Sequence, residues 1–229
     1  PDERLVVDVR LDEHGSPLYT VARNGESVLR ESKLGLIRDD ADFSRGLKVL
    51  DVSSVEAVSD EYELLTSKRR HNSYRANRRT LHLQNGTGQK LDIIFQVSDD
   101  GVAYRYRFPE ESTQVHRLKE EVSSFNFLPG TKTWLQPMAA AKTGFAETNP
   151  SYEETYQQEG TVGVPSPTGA GWVYPALFRT GETWVLISET GLGRNYAGTR
   201  LSNEWRSTEY RVSFPDPLEH FQGGPVAPE

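Results

Sequence analysis

The stretch from Asp92 to Pro109, DIIFQVSDDGVAYRYRFP, decides the fold of this chain. Its first half alternates with a period of two, which places successive side chains on opposite faces of a β-strand. Asp100-Gly101 follows, and Asp-Gly favours a tight hairpin turn because that turn needs positive φ. The second half again alternates, with one face apolar or aromatic: Val102, Tyr104, Tyr106 and Phe108. Pro109 has no N–H to donate and ends the strand. The stretch predicts a β-hairpin.

Short alternating stretches of the same kind recur along the chain, separated by turn residues. They include residues 5–11, 18–22, 122–128, 172–187 and 210–214. Many short strands with regular turn signals predict an all-β antiparallel sandwich with little helix. Residues 1–214 are predicted to form this domain, and the Pro/Gly-rich residues 215–229 a linker.

One long polar region interrupts the pattern, from residue 136 to 171. A loop of that length is uncommon in a compact domain and is typical of functional or disordered segments. Its aromatic residues favour an ordered functional excursion.

Composition excludes several classes of protein. The 229 residues carry a formal net charge of −7, with a pI near 5.4, which argues against a nucleic-acid binder. No apolar run approaches the roughly 20 residues that span a bilayer, and the charged N-terminus does not read as a signal peptide. The absence of cysteine excludes disulfides and thiolate chemistry. The basic stretch 68–79 is interpreted as a solvated or partner-facing loop.

The sequence offers no self-contained active site. There is no Gly-x-Ser-x-Gly elbow, no histidine pair with zinc-helix spacing and no phosphate-binding loop. The five histidines lie in charged or turn contexts that favour surface positions. Adjacent carboxylates are interpreted as solvated faces: Asp39-Asp40, Asp99-Asp100, Glu110-Glu111, Glu120-Glu121 and Glu153-Glu154. Glu189 stands apart because it follows the apolar run 184–188 and is expected at the sandwich rim, either as a contact to another domain or as an ordinary exposed glutamate.

Several separated segments, in order, resemble the N-terminal domain of glycoside hydrolase family 97. The segments are Ser32–Leu36 (SKLGL), His71–Tyr74 (HNSY), Phe95–Pro109, Trp134, Tyr152-Glu153, and Tyr174–Phe178 with Trp184–Glu189. The resemblance implies a large galactose-mutarotase-like β-supersandwich that precedes a catalytic (β/α)8 barrel. That barrel supplies the catalytic carboxylates in the family and is absent from these 229 residues, so the chain by itself is expected to be catalytically silent.

The resemblance also implies ligands and partners. The parent is expected to be a periplasmic or extracellular bacterial α-glycosidase, an α-glucosidase or α-galactosidase acting on α-linked oligosaccharides. The prevalence of substrates in the family favours starch-type α-glucosides. Glu189 occupies the position from which family members reach a Ca²⁺ ion. Because Ca²⁺ takes roughly six to eight oxygen ligands, the isolated domain is expected to bind it weakly or not at all. Tyr152, Glu153 and Tyr156 are expected to border the substrate pocket, or else to cover the sandwich rim.

Two other hypotheses remain open from the sequence. The chain could be a free-standing carbohydrate-binding module that uses Trp172, Trp184 or Trp205 as sugar platforms. It could also be a structural sandwich with a protein partner. If the barrel is the natural partner, the barrel-facing surface of the isolated domain is expected to cause self-association.

Overall fold

The computed structural model describes residues 4–139, 155–193, 196–216, 220–221 and 224–225. Within these ranges every regular element is a β-strand. The first nine are β1 (Leu5–Leu11), β2 (Pro17–Arg23), β3 (Glu26–Lys33), β4 (Leu36–Arg38), β5 (Lys48–Val52), β6 (Glu56–Glu63), β7 (His71–Gln84), β8 (Lys90–Ser98) and β9 (Val102–Arg107). The others are β10 (Leu118–Glu121), β11 (Ser124–Asn126), β12 (Lys132–Pro137), β13 (Gln157–Thr161), β14 (Trp172–Thr180), β15 (Thr183–Ile187), β16 (Arg200–Ser202), β17 (Glu209–Ser213), β18 (His220–Phe221) and β19 (Gly224–Pro225).

The larger sheet has ten antiparallel strands in the order β1-β2-β3-β11-β17-β16-β14-β12-β13, with β15 also paired to β14. Its first three strands form the meander that the turn residues predict. At the β2–β3 turn, Asn24 and Gly25 both have positive φ, 52° and 80°, as a two-residue primed turn requires. Strand β14 is a branch point because it hydrogen-bonds to β12, β15 and β16.

The second sheet contains β5, β7, β8 and β9 in that order, with β6 also paired to β7. The hairpin predicted over residues 92–109 is its β8–β9 unit, in which Phe95 lies opposite Tyr104. The Ser98 backbone N–H donates to the carbonyl of Gly101 at 2.9 Å and closes the turn. Two-stranded pairs β4–β10 and β18–β19 complete the described architecture.

The two sheets pack face to face through aromatic side chains. Tyr19 of the larger sheet lies 6.0 Å from Phe95 and 5.8 Å from Tyr104 of the smaller sheet, measured between ring centroids. Deeper in the larger sheet, Phe127 stacks on Phe178 at 4.1 Å, and both rings are fully buried. This arrangement confirms the predicted all-β antiparallel sandwich. In the part of the chain that the structure describes, no helix is long and apolar enough to cross a bilayer.

A buried carboxylate connects three strands on the outer side of the smaller sheet. Asp92 of β8 is 1% exposed and accepts hydrogen bonds from Arg107 of β9, at 2.9 Å from Nε and 2.6 Å from Nη2. Its other oxygen lies 2.7 Å from Nδ1 of His82 on β7. His82 is therefore a hydrogen-bonding partner of Asp92.

The interpretation of residues 68–79 as a loop is wrong for residues 71–79. Residues 71–79 belong to the 14-residue strand β7, which pairs with the acidic strand β6. Arg78 lies opposite Glu56 and bonds to it at 2.7 Å, and Arg70 bonds to Glu63 at 3.2 Å. The basic residues of β7 thus face the acidic residues of β6, and a basic run in this sequence is compatible with a strand as well as with a loop.

Candidate functional site

The candidate site lies where β15 ends, at the point that the sequence singled out. Glu189 follows β15 by two residues and is partly buried. Oε1 of its carboxylate accepts from the backbone N–H of Thr199 and Oε2 from the Thr199 hydroxyl, both at 2.8 Å. An added Cβ at Gly198 would lie 3.5 Å from Oε1, so the returning backbone also runs close to the carboxylate. Glu189 is therefore an oriented carboxylate, unlike an ordinary exposed glutamate.

A second carboxylate, Glu121, lies close enough to Glu189 to feel its charge. Glu121 ends β10 and accepts a hydrogen bond from the hydroxyl of Tyr196. Burial raises the pKa of Glu121; hydrogen bonds from Tyr196 and Ser123 oppose the shift, and the negative charge of Glu189 adds to it. The interpretation of Glu120-Glu121 as a solvated face is thus wrong for Glu121.

Tyrosines surround the two carboxylates. Burial raises the pKa of Tyr106, Tyr174 and Tyr196 above the ordinary value, and the charge of Glu121 contributes in each case. These hydroxyls therefore stay protonated and act as hydrogen-bond donors and acceptors. The Tyr106 hydroxyl accepts from the backbone N–H of Gly35 at 2.8 Å and lies 2.6 Å from Oγ of Ser123.

Sequence reasoning located Glu189 and missed Glu121. Tyr196, the hydrogen-bonding partner of Glu121, lies 75 residues away in the chain, and no local pattern indicates that pairing. A charged pair such as Glu120-Glu121 is usually solvated, so burial of one member was visible only in three dimensions.

The other predicted site residues are placed as follows. Tyr156 lies immediately before β13 and is 41% exposed. Tyr152 and Glu153 lie outside the described residues. Trp172 is 2% exposed and its indole N–H donates to Asn203 at 3.0 Å, so its predicted role as a sugar platform is wrong.

A different group of ligand atoms meets on the β4–β10 side of the molecule. Among the described residues, Asp39, Asp40 and His116 bring carboxylate and imidazole atoms within 4.8 Å of one another. Asp40 is already bonded by Arg38 and by the amide of Gln89 at 3.0 Å. A guanidinium on the carboxylate competes with a cation, so this group is best explained as a surface charge network.

Comparison with known proteins places the chain in a family. The profile of the family Glycosyl-hydrolase 97 N-terminal matches residues 1–220. A probable retaining α-galactosidase of Streptomyces bingchenggensis (strain BCW-1) is 31% identical over 216 residues, which are 94% of this chain and 31% of that protein.

Solved structures agree in fold. The crystal structure of a β-arabinopyranosidase is 39% identical with a TM-score of 0.88, over 94% of this chain and 35% of the other. A family 97 enzyme from Pseudoalteromonas sp. strain K8, in complex with acarbose, is 20% identical with a TM-score of 0.75, over 93% of this chain and 31% of the other. The chain thus spans about a third of the length of these relatives, and it belongs to the glycosyl-hydrolase 97 N-terminal family.

Proposed function

We propose that this chain is the non-catalytic N-terminal domain of a calcium-dependent α-glycosidase, and that it contributes Glu189 to the calcium site of an adjoining catalytic barrel. The observation that carries this proposal is the orientation of the Glu189 carboxylate. Both of its oxygens are held by Thr199 at 2.8 Å at the end of an edge strand. Membership of the family supplies the wider context.

The carboxylate oxygens of the site fit part of a calcium coordination shell. Calcium prefers oxygen ligands at six to eight positions. Glu189 offers a carboxylate, and Glu121 is held close by in a hydrogen-bonded environment. Two carboxyl groups do not complete a calcium shell, so most of the ligands would come from the adjoining domain. The bound ion would supply positive charge to polarise or position a sugar.

The relatives favour a galactose-type substrate. The curated relative that is 31% identical is named a retaining α-galactosidase, and the relative that is 39% identical is named a β-arabinopyranosidase. In the L series, β-arabinopyranosides share the ring configuration of α-galactosides and lack only the hydroxymethyl group. The enzyme bound to acarbose, a glucose-type ligand, is 20% identical and supports the fold only. We therefore propose α-galactoside-type oligosaccharides as substrates ahead of α-glucosides.

The proposed partner is the catalytic barrel of the same polypeptide in the periplasm or outside the cell. Tyr152, Glu153 and Tyr156 would border the substrate pocket at the junction between the two domains. Separated from the barrel, the domain would expose its docking surface and self-associate. Sedimentation at increasing concentration tests this, and a monomer at every concentration would argue against it.

The decisive experiment compares Glu189→Gln with Glu182→Gln in the full-length protein. Glu182 lies in the β14–β15 turn, and its side chain is 93% exposed, which makes it a matched control. We expect Glu189→Gln to weaken calcium binding by at least about tenfold in calorimetry and to lower hydrolysis of nitrophenyl α-galactoside, and Glu182→Gln to change neither. Parental calcium affinity in Glu189→Gln would refute the role of Glu189. Tight calcium binding by the isolated 229 residues would refute the shared site.

A second candidate function is that of a carbohydrate-binding module. Trp184 and Trp205 are 53% and 64% exposed, as sugar platforms must be. Each ring has an arginine guanidinium over it, Arg179 at 5.6 Å for Trp184 and Arg206 at 5.9 Å for Trp205. Trp184 also packs on the ring of Trp134 at 4.8 Å, whereas Trp205 has no ring contact among the described residues and is the freer of the two. Titration with galacto- and maltooligosaccharides distinguishes the candidates: binding that is lost in Trp205→Ala would favour the module.

A further inference from the structure

The connection from β15 to β16 is attached to two carboxylates, one on each side. Thr199 holds Glu189 through its backbone N–H and its hydroxyl. Three residues earlier, the Tyr196 hydroxyl donates to Glu121. The segment 196–199 therefore links Glu121 to Glu189 through a short piece of backbone.

Glu121 is the fixed end of this link. Its backbone lies in the β4–β10 pair, opposite Leu36, and the N–H of the next residue, Val122, donates to the carbonyl of Gly35 at 2.9 Å. Ser123, which is fully buried, bonds to the Tyr106 hydroxyl at 2.6 Å. Glu121 is thus anchored by strand pairing before it and by a buried hydrogen bond after it.

Glu189 is the less constrained end. It lies beyond the last residue of β15, and among the described strands β15 pairs only with β14. Its orientation depends on the two hydrogen bonds from Thr199. Thr199 lies between Arg200, the first residue of β16, and Tyr196, whose ring packs edge-on against Phe214 at 6.0 Å. Thr199 also hydrogen-bonds with Tyr174, so Tyr196 is one of three groups that hold it.

We infer that Glu121 is a positioning residue, which fixes the Glu189 carboxylate through Tyr196 and Thr199. The inference rests on the proposed function only in giving Glu189 a role in calcium binding. The hydrogen bonds that connect Glu121 to Glu189 through Tyr196 and Thr199 lie within the described residues. Glu121 would act by restricting the orientations of Glu189 before a ligand arrives, so that less entropy is lost when it binds.

Amide hydrogen exchange of the 229-residue chain, followed by NMR, tests the link directly. Tyr196→Phe removes the hydroxyl and keeps the ring against Phe214. We expect the Thr199 amide to exchange about tenfold faster, as for the loss of one hydrogen bond, while the amide of Phe178 in β14 is unchanged. Equal acceleration of both amides would mean general destabilisation and would overturn the inference, as would parental exchange at Thr199.

Variants at Glu121 test whether an acceptor for the Tyr196 hydroxyl is enough to keep the Thr199 amide protected. Glu121→Gln keeps an oxygen that accepts from Tyr196 and should leave Thr199 protected, whereas Glu121→Leu should match Tyr196→Phe. If Glu121→Leu leaves the Thr199 amide protected, Glu121 has no positioning role.

Calcium titration of the full-length protein separates this inference from the proposed function. If the link and the calcium role are both right, Tyr196→Phe weakens calcium binding by about tenfold or more, as does the loss of other groups that orient a metal ligand. If Thr199 loses protection in Tyr196→Phe but even Glu189→Gln binds calcium normally, the positioning stands and the calcium role of Glu189 falls.

Discussion

Replacing Asp92 by alanine removes the carboxylate that joins three neighbouring strands of the smaller sheet. Asp92 is 1% exposed and accepts two hydrogen bonds from Arg107 and one from His82. Without it, both partners lose their acceptor while their stems stay packed on the sheet. Removing one member of a buried ion pair typically costs about 3–5 kcal/mol of unfolding free energy.

The exposure of the partners sets where in that range the cost falls. The side chains of Arg107 and His82 are 50% and 35% exposed, so water can replace part of what is lost. We therefore expect the lower end, about 3 kcal/mol, for Asp92→Ala. Asp92→Asn keeps the volume and one acceptor but loses the charge, and we expect about half that effect.

Urea unfolding followed by tryptophan fluorescence measures the difference. A chain of this size should have an m value near the upper end of the range of about 1–3 kcal/mol/M, so 3 kcal/mol moves the midpoint by about 1 M. Glu56→Ala, which breaks the exposed pair with Arg78, is the matched control and should leave the midpoint unchanged. Equal midpoints for Asp92→Ala and Glu56→Ala would refute the argument that the Asp92 network stabilises the fold more than an exposed ion pair because Asp92 is buried.

Three other changes test the packing and the electrostatics. Gly35→Ala should destabilise by about 2 kcal/mol or more, because φ is +133° and the new Cβ would lie 2.7 Å from the carbonyl oxygen of Phe43. Phe178→Ala should lower the free energy of unfolding in urea by about 3–5 kcal/mol, because it leaves a cavity beside Phe127. Burial alone would raise the pKa of Glu209, but the Ser124 hydroxyl and nearby cations hold it below its ordinary value, so this carboxylate stabilises the fold above the unfolded pKa. Glu209→Gln should therefore be about 1 kcal/mol less stable at pH 7, and the deficit should shrink as pH falls from about 4.

Each of these changes has a control in the same chain. Gly86→Ala adds a Cβ that meets nothing within 4 Å and should be neutral, so an equal loss there would remove the steric reason given for Gly35. Leu65→Ala truncates a side chain that is 84% exposed and should leave the urea midpoint unchanged, in contrast to Phe178→Ala. Glu204→Gln removes a largely exposed carboxylate near the same Arg211. If it reproduces the pH profile of Glu209→Gln, the buried hydrogen bond is not the cause.

Local chemistry was enough to predict the sandwich and its best-marked hairpins. The β8–β9 unit follows from strict alternation around Asp100-Gly101, and the β14–β15 unit follows from two apolar runs around Gly181, whose φ is +55°. Family resemblance then indicated Glu189, which the structure shows to be oriented.

Contacts between distant residues were beyond the sequence. The partly buried side chain of Glu121 bonds to the distant Tyr196, and the buried side chain of Asp92 depends on the pairing of three strands. Residues 71–79 of β7 resemble a charged loop in sequence, because the pattern of one strand does not show the charges of its partner. The acidic strand β6 pairs with them in the structure. The sequence does not indicate that Trp172 is buried, because tryptophan occurs both in cores and at exposed binding surfaces.

The three-way pairing of β14 has a consequence for how much sequence change each strand can absorb. A substitution in β13 or β15 disturbs one neighbour, whereas a change of backbone path in β14 must be matched in β12, β15 and β16 together. Loop insertions and altered lengths should therefore be tolerated after β13 and rejected within β14, whereas the segment after β15 must keep its length because Glu189 lies there. Any effort to graft a new binding surface onto this domain should keep β14 intact and vary a strand, such as β13, that pairs with a single neighbour among the described residues.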